Sequence, residues 1–199
     1  MRKAVFPGSF DPFTLGHLDI LKRSLSLFDE ITVGVGGNNE KKTMFSERQR
    51  IKFIKKCFEN EPKIKVESYE GLTIDFCKKN SPYQFRCSDF IKEDLNEKFD
   101  LVFSHAVIDH VYDIDAFLKR IVNTTKKFAF VNSYRGYFPD LKEHKMKWRD
   151  DQACYFNDIS IMRIKQVLLD CHLTEEEFII RPQDNGYGIL QTTIEITKK

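Results

Sequence analysis

The chain has 199 residues, 41% of them hydrophobic and 31% charged, with a formal net charge of +2. That length suits one domain with an ordinary core, and so small a charge argues against a nucleic-acid partner. No apolar run is long enough to span a bilayer, and Asp11 and His17 interrupt the start where a signal peptide would be apolar, so the expectation is a cytoplasmic protein with no membrane partner. Cys57, Cys77, Cys87, Cys154 and Cys171 are scattered without a C-x-x-C pair and read as reduced thiols, neither disulfides nor metal ligands.

Lys3 to Phe6 reads as a short buried strand, broken by Pro7 and Gly8. Gly16-His17 opens a helix with apolar residues at Leu18, Leu21, Leu25 and Phe28. A strand, a glycine-containing turn and a helix start make an anion site, because backbone N–H groups point outward beside the positive end of the helix dipole. Glu30 to Gly36 is a second strand, closed by the loop Gly36-Gly37-Asn38-Asn39 and followed by Lys41 and Lys42. Ser46 and Gln49 have capping-box spacing, so a helix starts there and buries Ile51, Ile54 and Phe58. A strand over Lys63 to Tyr69 and a helix over Leu72 to Lys79 continue the alternation expected of a parallel sheet with right-handed crossovers.

Further on, Gln84 to Ser88 and Leu101 to Ser104 are read as strands. Ile114, Phe117, Leu118, Ile121 and Val122 form a helical stripe, and Lys127 to Asn132 is a buried strand. Ser133 to Gln152, with Trp148, is expected as a long loop or lid. Asn157 or Asp158 would cap a helix burying Ile161, Ile164, Val167 and Leu168. Phe178 to Ile180 is a strand, Asn185-Gly186 a hairpin signal, and Ile189 to Thr197 a strand with Leu190, Thr192, Ile194 and Ile196 on one face.

Gly8-Ser9-Phe10-Asp11-Pro12 followed by Thr14-Leu15-Gly16-His17 resembles the nucleotidyltransferase signature of bacterial phosphopantetheine adenylyltransferases. The resemblance continues through Leu18 to Arg23, Leu27 to Glu30, Lys41 to Ser46, Arg50 and Gly71-Leu72, over about residues 1–75. It implies that Thr14 and His17 contact the phosphates of ATP and stabilise the transition state, and that Gly8, Ser9 and Phe10 hold phosphate oxygens. It further implies that Lys41 pairs with the 4′-phosphate of the acceptor, that Leu72 and Thr73 line the pantetheine arm, and that Mg2+ arrives with ATP. The family's Arg-Gly-Leu-Arg segment and its Ile-Ser-Ser-Ser motif are absent from this sequence.

From about residue 73 onward, Cys77 to Pro82, Gln84 to Phe90 and Phe99 to Val111 resemble the latter part of class I S-adenosylmethionine-dependent methyltransferases. The Gly-rich loop of that family and the acid at the tip of its second strand are missing, which counts against S-adenosylmethionine as a ligand. The chain therefore reads as a chimera, easier to explain by deliberate recombination of two related α/β folds than by drift. The expected fold is a three-layer, Rossmann-like, doubly wound and mostly parallel sheet of about eight strands with a C-terminal antiparallel hairpin. It would be one domain over 1–199, with a nucleotidyltransferase-derived part at 1–75 and a methyltransferase-derived part at 76–199.

The expected strand order is Gln84–Ser88, Lys63–Tyr69, Ile31–Gly36, Lys3–Phe6, Leu101–Ser104, Phe128–Asn132, Ile189–Thr197, Phe178–Arg181. Asp89 is expected as a loop or cap residue, and His105, Asp109 and His110 as structural groups and not a metal set. Arg135 is the one candidate to replace a missing phosphate arginine. The favoured functional reading is a chimera without a complete active site that keeps nucleotide or phosphate binding at Gly8–His17. The alternatives are a pantetheine-phosphate adenylyltransferase and, behind it, a methyltransferase. Oligomeric state is left open.

Overall fold

The computed structural model describes residues 1–37, 43–93, 95–184 and 190–199. They divide into two compact units, Met1–Cys87 and Ser88–Lys199.

In the first unit, β1 (Lys3–Gly8), β2 (Glu30–Gly36) and β3 (Ile64–Tyr69) form a parallel sheet in the order β1-β2-β3. β1 runs through Pro7 to Gly8, beyond the expected break, and keeps its register with β2 there, Pro7 opposite Gly34 and Gly8 opposite Val35. Ile31, Val33 and Val35 of β2 alternate onto one face and pack with Leu21 of α1 (Leu15–Ser24) and Ile54 and Phe58 at α2 (Glu47–Cys57). The opposite face carries Gly34, against which Phe76 of α3 (Thr73–Asn80) lies so closely that a Cβ on Gly34 would sit 2.2 Å from its ring. Helices thus cover both faces, the three-layer arrangement expected. The capping box at α2 forms as its spacing predicts: Ser46 Oγ accepts from Gln49 N–H at 3.3 Å, and Gln49 Oε1 accepts from Ser46 N–H at 2.9 Å.

In the second unit, β4 (Phe99–His105), β5 (Thr125–Ser133), β10 (Leu190–Thr197) and β9 (Phe178–Asp184) form a sheet in the order β4-β5-β10-β9. β4 and β5 are parallel, and β10 is antiparallel to both its neighbours. This is the neighbour order and the terminal antiparallel pair that the methyltransferase resemblance implied. Ala129, Val131, Ile194 and Ile196 bury against Leu118 and Ile121 of α4 (Ile114–Thr124) and Ile164 and Leu168 of α5 (Ile161–Asp170). Each Val, Leu and Ile among them contributes about 1.5–3 kcal/mol on full burial.

Three expectations change. Gln84–Ser88 is not a strand: Phe85 alone of these five is even half-buried, so the segment has no apolar face to lay on a sheet. The segment expected as a loop holds β6 (Tyr137–Phe138) and β7 (Lys145–Arg149), which flank β8 (Cys154–Ser160) in a third sheet, so the described residues contain ten strands in place of about eight. The cap of α5 is Ser160, whose Oγ accepts from Arg163 N–H at 3.1 Å, while Asn157 is buried and donates to the carbonyls of Ile108 and Val111 at 3.0 and 2.9 Å. The Asn185-Gly186 turn signal lies outside the described residues.

Candidate functional site

The site is built where β1 ends. Ser9 and Phe10 follow the strand, and Phe10 takes the left-handed conformation with φ 49°. Its side chain turns back into the core at 3% exposure. Gly8 makes room for this: a Cβ there would stand 2.9 Å from Phe10 Cζ. The functional part of Phe10 is therefore its backbone, since the ring packs 5.5 Å from Phe6 and 5.8 Å from Phe13.

Thr14 caps α1, and His17 completes a reciprocal capping box with it. Thr14 N–H donates to His17 Nδ1 at 3.0 Å, and His17 N–H donates to Thr14 Oγ1 at 3.4 Å. A backbone N–H can only donate, so Nδ1 is an acceptor and the proton of the neutral ring sits on Nε2. The ring is held by Phe13, stacked at 5.6 Å, and by the edge-on Phe10 at 5.2 Å. The first turn of α1 contains no acidic residue, and the N–H groups of Leu15 and Gly16 find no acceptor among the described residues. Nε2–H, these amides and the positive end of the helix dipole make a donor set suited to phosphate oxygens.

A pocket of about 490 Å³ opens on this turn, lined by Gly8, Ser9, Phe10, Asp11, Thr14 and His17 among others. The structure thus gathers Gly8, Ser9, Phe10, Thr14 and His17 in one place. Leu72 and Thr73 lie just past the carboxyl end of β3, at the end of the sheet where β1 delivers Gly8, but they do not line this pocket. Leu72 is 66% exposed, and Thr73 Oγ1 is 2.9 Å from the Tyr69 hydroxyl. Lys41 lies outside the described residues.

Two residues that the motif reading gave no role organise the loop. Asp11 accepts from the N–H groups of Met44 and Phe45 at 2.6 and 2.8 Å. Arg50, 2% exposed, donates to the carbonyls of Ser9, Gly36 (3.1 Å) and Phe45 (3.2 Å). The available signal was an arginine one helical turn before Ile54, on the face that α2 buries.

In the second unit, Asp109 is fully buried and accepts from Ser133 Oγ at 2.6 Å and from the N–H groups of Tyr134 and Arg135 at 3.3 Å each. His110 Nδ1 lies 2.6 Å from the Tyr155 carbonyl, whereas His105 is exposed and stacks on Phe103. Asp89 accepts from the Tyr112 hydroxyl at 2.8 Å, a bond that holds its carboxyl below the ordinary range. Arg135 pairs with Asp158 at 2.9 Å and lies over the Phe156 ring, so its charge is already answered. No group of three metal-ligating side chains gathers, and no helix is long and apolar enough to cross a membrane, among the described residues.

A family model described as cytidylyltransferase-like matches residues 5–189. The phosphopantetheine adenylyltransferase of Flavobacterium psychrophilum is 55% identical over 107 residues, covering 54% of this chain and 67% of that protein. That of Nautilia profundicola is 34% identical over 144 residues, covering 70% of this chain and 90% of that protein. Both matches are longer than the 75-residue span on which the motifs were read. Among solved structures, a 1,6-didemethyltoxoflavin-N1-methyltransferase of Burkholderia thailandensis aligns with a TM-score of 0.39 at 7% identity, over 100% of this chain and 71% of that one.

Proposed function

Because the chain belongs to the cytidylyltransferase-like family, we propose that the loop Gly8–His17 binds the triphosphate of a nucleotide, ATP by resemblance, and that binding outlasts catalysis. The observation that carries this reading is the Thr14–His17 capping box, which leaves Nε2–H as the donor of the His17 ring; both residues line the pocket. Magnesium would come on the phosphates themselves, since both Asp11 oxygens are spent on Met44 and Phe45. Adenylyl transfer is in-line attack on the α-phosphorus with pyrophosphate leaving, and its rate rests on positioned charge. Losing one such donor costs about a hundredfold or more, and the arginine segment and serine-rich motif are both missing here.

A second reading, adenylyl transfer from ATP to 4′-phosphopantetheine, is favoured by the 144-residue match to the Nautilia profundicola protein. Pyrophosphate release from ATP–Mg2+, measured with and without 4′-phosphopantetheine, separates the two. Nucleotide binding without acceptor-dependent release supports the first reading, and acceptor-dependent release supports the second. Absence of nucleotide binding contradicts both.

A further inference from the structure

We infer that Arg50 is the positioning residue of this anion loop, acting with Asp11; the inference rests on the nucleotide-binding reading of Gly8–His17. The Arg50 guanidinium is buried and faces three carbonyls, of Ser9, Gly36 and Phe45. No carboxylate is paired with it among the described residues. A charge buried this deeply is costly to retain, and here it is spent on holding backbone carbonyls.

What it holds is the direction of one peptide. In a trans peptide the carbonyl and the following N–H point opposite ways. With the Ser9 carbonyl drawn inward to Arg50, the Phe10 N–H is turned outward, and no acceptor among the described residues takes it. The left-handed backbone of Phe10 belongs to the same arrangement, and such a conformation persists in a non-glycine residue where its surroundings enforce it. The remaining bonds tie this peptide to its neighbours. Arg50 fixes the carboxyl end of β2 through Gly36 and the entry to α2 through Phe45, and Asp11 returns from the loop to the amides of Met44 and Phe45. The guanidinium also places positive charge directly behind the loop, where an anion in the pocket feels it. Lysine would supply the charge but not the fork that spans separate carbonyls.

The test uses the full chain as Arg50→Met, Arg50→Lys and Asp11→Asn, with Ile54→Val as a core control on the same helix. Affinities for ATP–Mg2+ and for tripolyphosphate–Mg2+ are measured by calorimetry, and backbone amide signals by NMR. Arg50→Met weakens both ligands about tenfold or more and by the same factor, as expected for lost charge-assisted bonding to phosphate and not to the nucleoside. It also moves the Phe10 amide signal, as does Asp11→Asn. Ile54→Val lowers the melting temperature and leaves both affinities unchanged. Arg50→Lys stays weaker than wild type.

Unshifted Phe10 signals in Arg50→Met overturn the assignment whatever the loop binds. Wild-type affinity in Arg50→Met or Arg50→Lys overturns it as well. Failure of the unsubstituted chain to bind either ligand removes the nucleotide-binding reading itself and is distinguishable from both.

Discussion

Thr14 and His17 hold each other across the first turn of α1: the Thr14 amide donates to His17 Nδ1 at 3.0 Å, and the His17 amide donates to Thr14 Oγ1 at 3.4 Å. One arrangement serves two ends, because the bonds that start the helix also fix which ring nitrogen carries the proton. Thr14→Ala is predicted to cost about 0.5–2 kcal/mol of stability as a lost cap. It should weaken ATP–Mg2+ binding as well, since it removes from the pocket lining a hydroxyl that lies 2.9 Å from His17 Nδ1. Chemical denaturation and calorimetry on the same variant check the two effects, and unchanged binding would separate the cap from the site.

Gly34 is where α3 meets its sheet. A methyl group there would stand 2.2 Å from the Phe76 ring, which itself stacks on Tyr69 at 4.5 Å. Gly34→Ala is predicted to lose about 1–3 kcal/mol by overpacking. A Gly34→Ala, Phe76→Leu double variant should recover part of that loss. An unchanged melting temperature in Gly34→Ala would contradict the packing described.

Most of the fold was legible because burial is periodic. Ile31, Val33 and Val35 alternate, and Phe117, Leu118, Ile121 and Val122 recur at helical spacing, so both elements were read in place. The strand over Cys154–Ser160 escaped because its polar residues are inside: Asn157 is fully buried and serves two carbonyls, which from the sequence alone reads as a helix cap. Gln84–Ser88 misled for the opposite reason, since its apolar residue finds no sheet to join. At the site, Thr14 and His17 were visible as a motif. Asp11 and Arg50 act through backbone groups some 30 to 40 residues away in sequence, a relation that appears once the chain is folded.

Asp109 anchors the end of β5. Removing its carboxylate leaves the fully buried Ser133 hydroxyl and the half-buried Tyr134 and Arg135 amides without that acceptor. Asp109→Ala is predicted to destabilise the chain by at least about 3 kcal/mol, because unmet buried donors cost more than a lost bond gains. Denaturant unfolding measures it, and a loss comparable to that of an exposed substitution would contradict the network.

His144 makes stability depend on pH. Its side chain is 9% exposed, and burial holds the imidazole below its ordinary range, opposed by Asp115 at 3.4 Å and Glu143 and assisted by Arg163. The Ser160 amide donates to Nδ1 at 3.0 Å, which also favours the neutral ring. In the unfolded chain this histidine takes its proton near pH about 6.5. Below that pH the unfolded state binds a proton that the folded state does not, so stability falls as pH drops from about 6.5 toward the lowered folded value. His144→Gln should flatten the decline in melting temperature over that interval. The same slope in both proteins would assign the effect elsewhere.

The most direct test of the central claim is a calorimetric titration of the unsubstituted chain and of His17→Ala with ATP–Mg2+. Saturable binding that weakens by about tenfold or more in His17→Ala, at unchanged stoichiometry, is the predicted result for a lost donor on phosphate. Equal affinity in the two proteins, or no binding in the first, would contradict the assignment of a nucleotide to Gly8–His17.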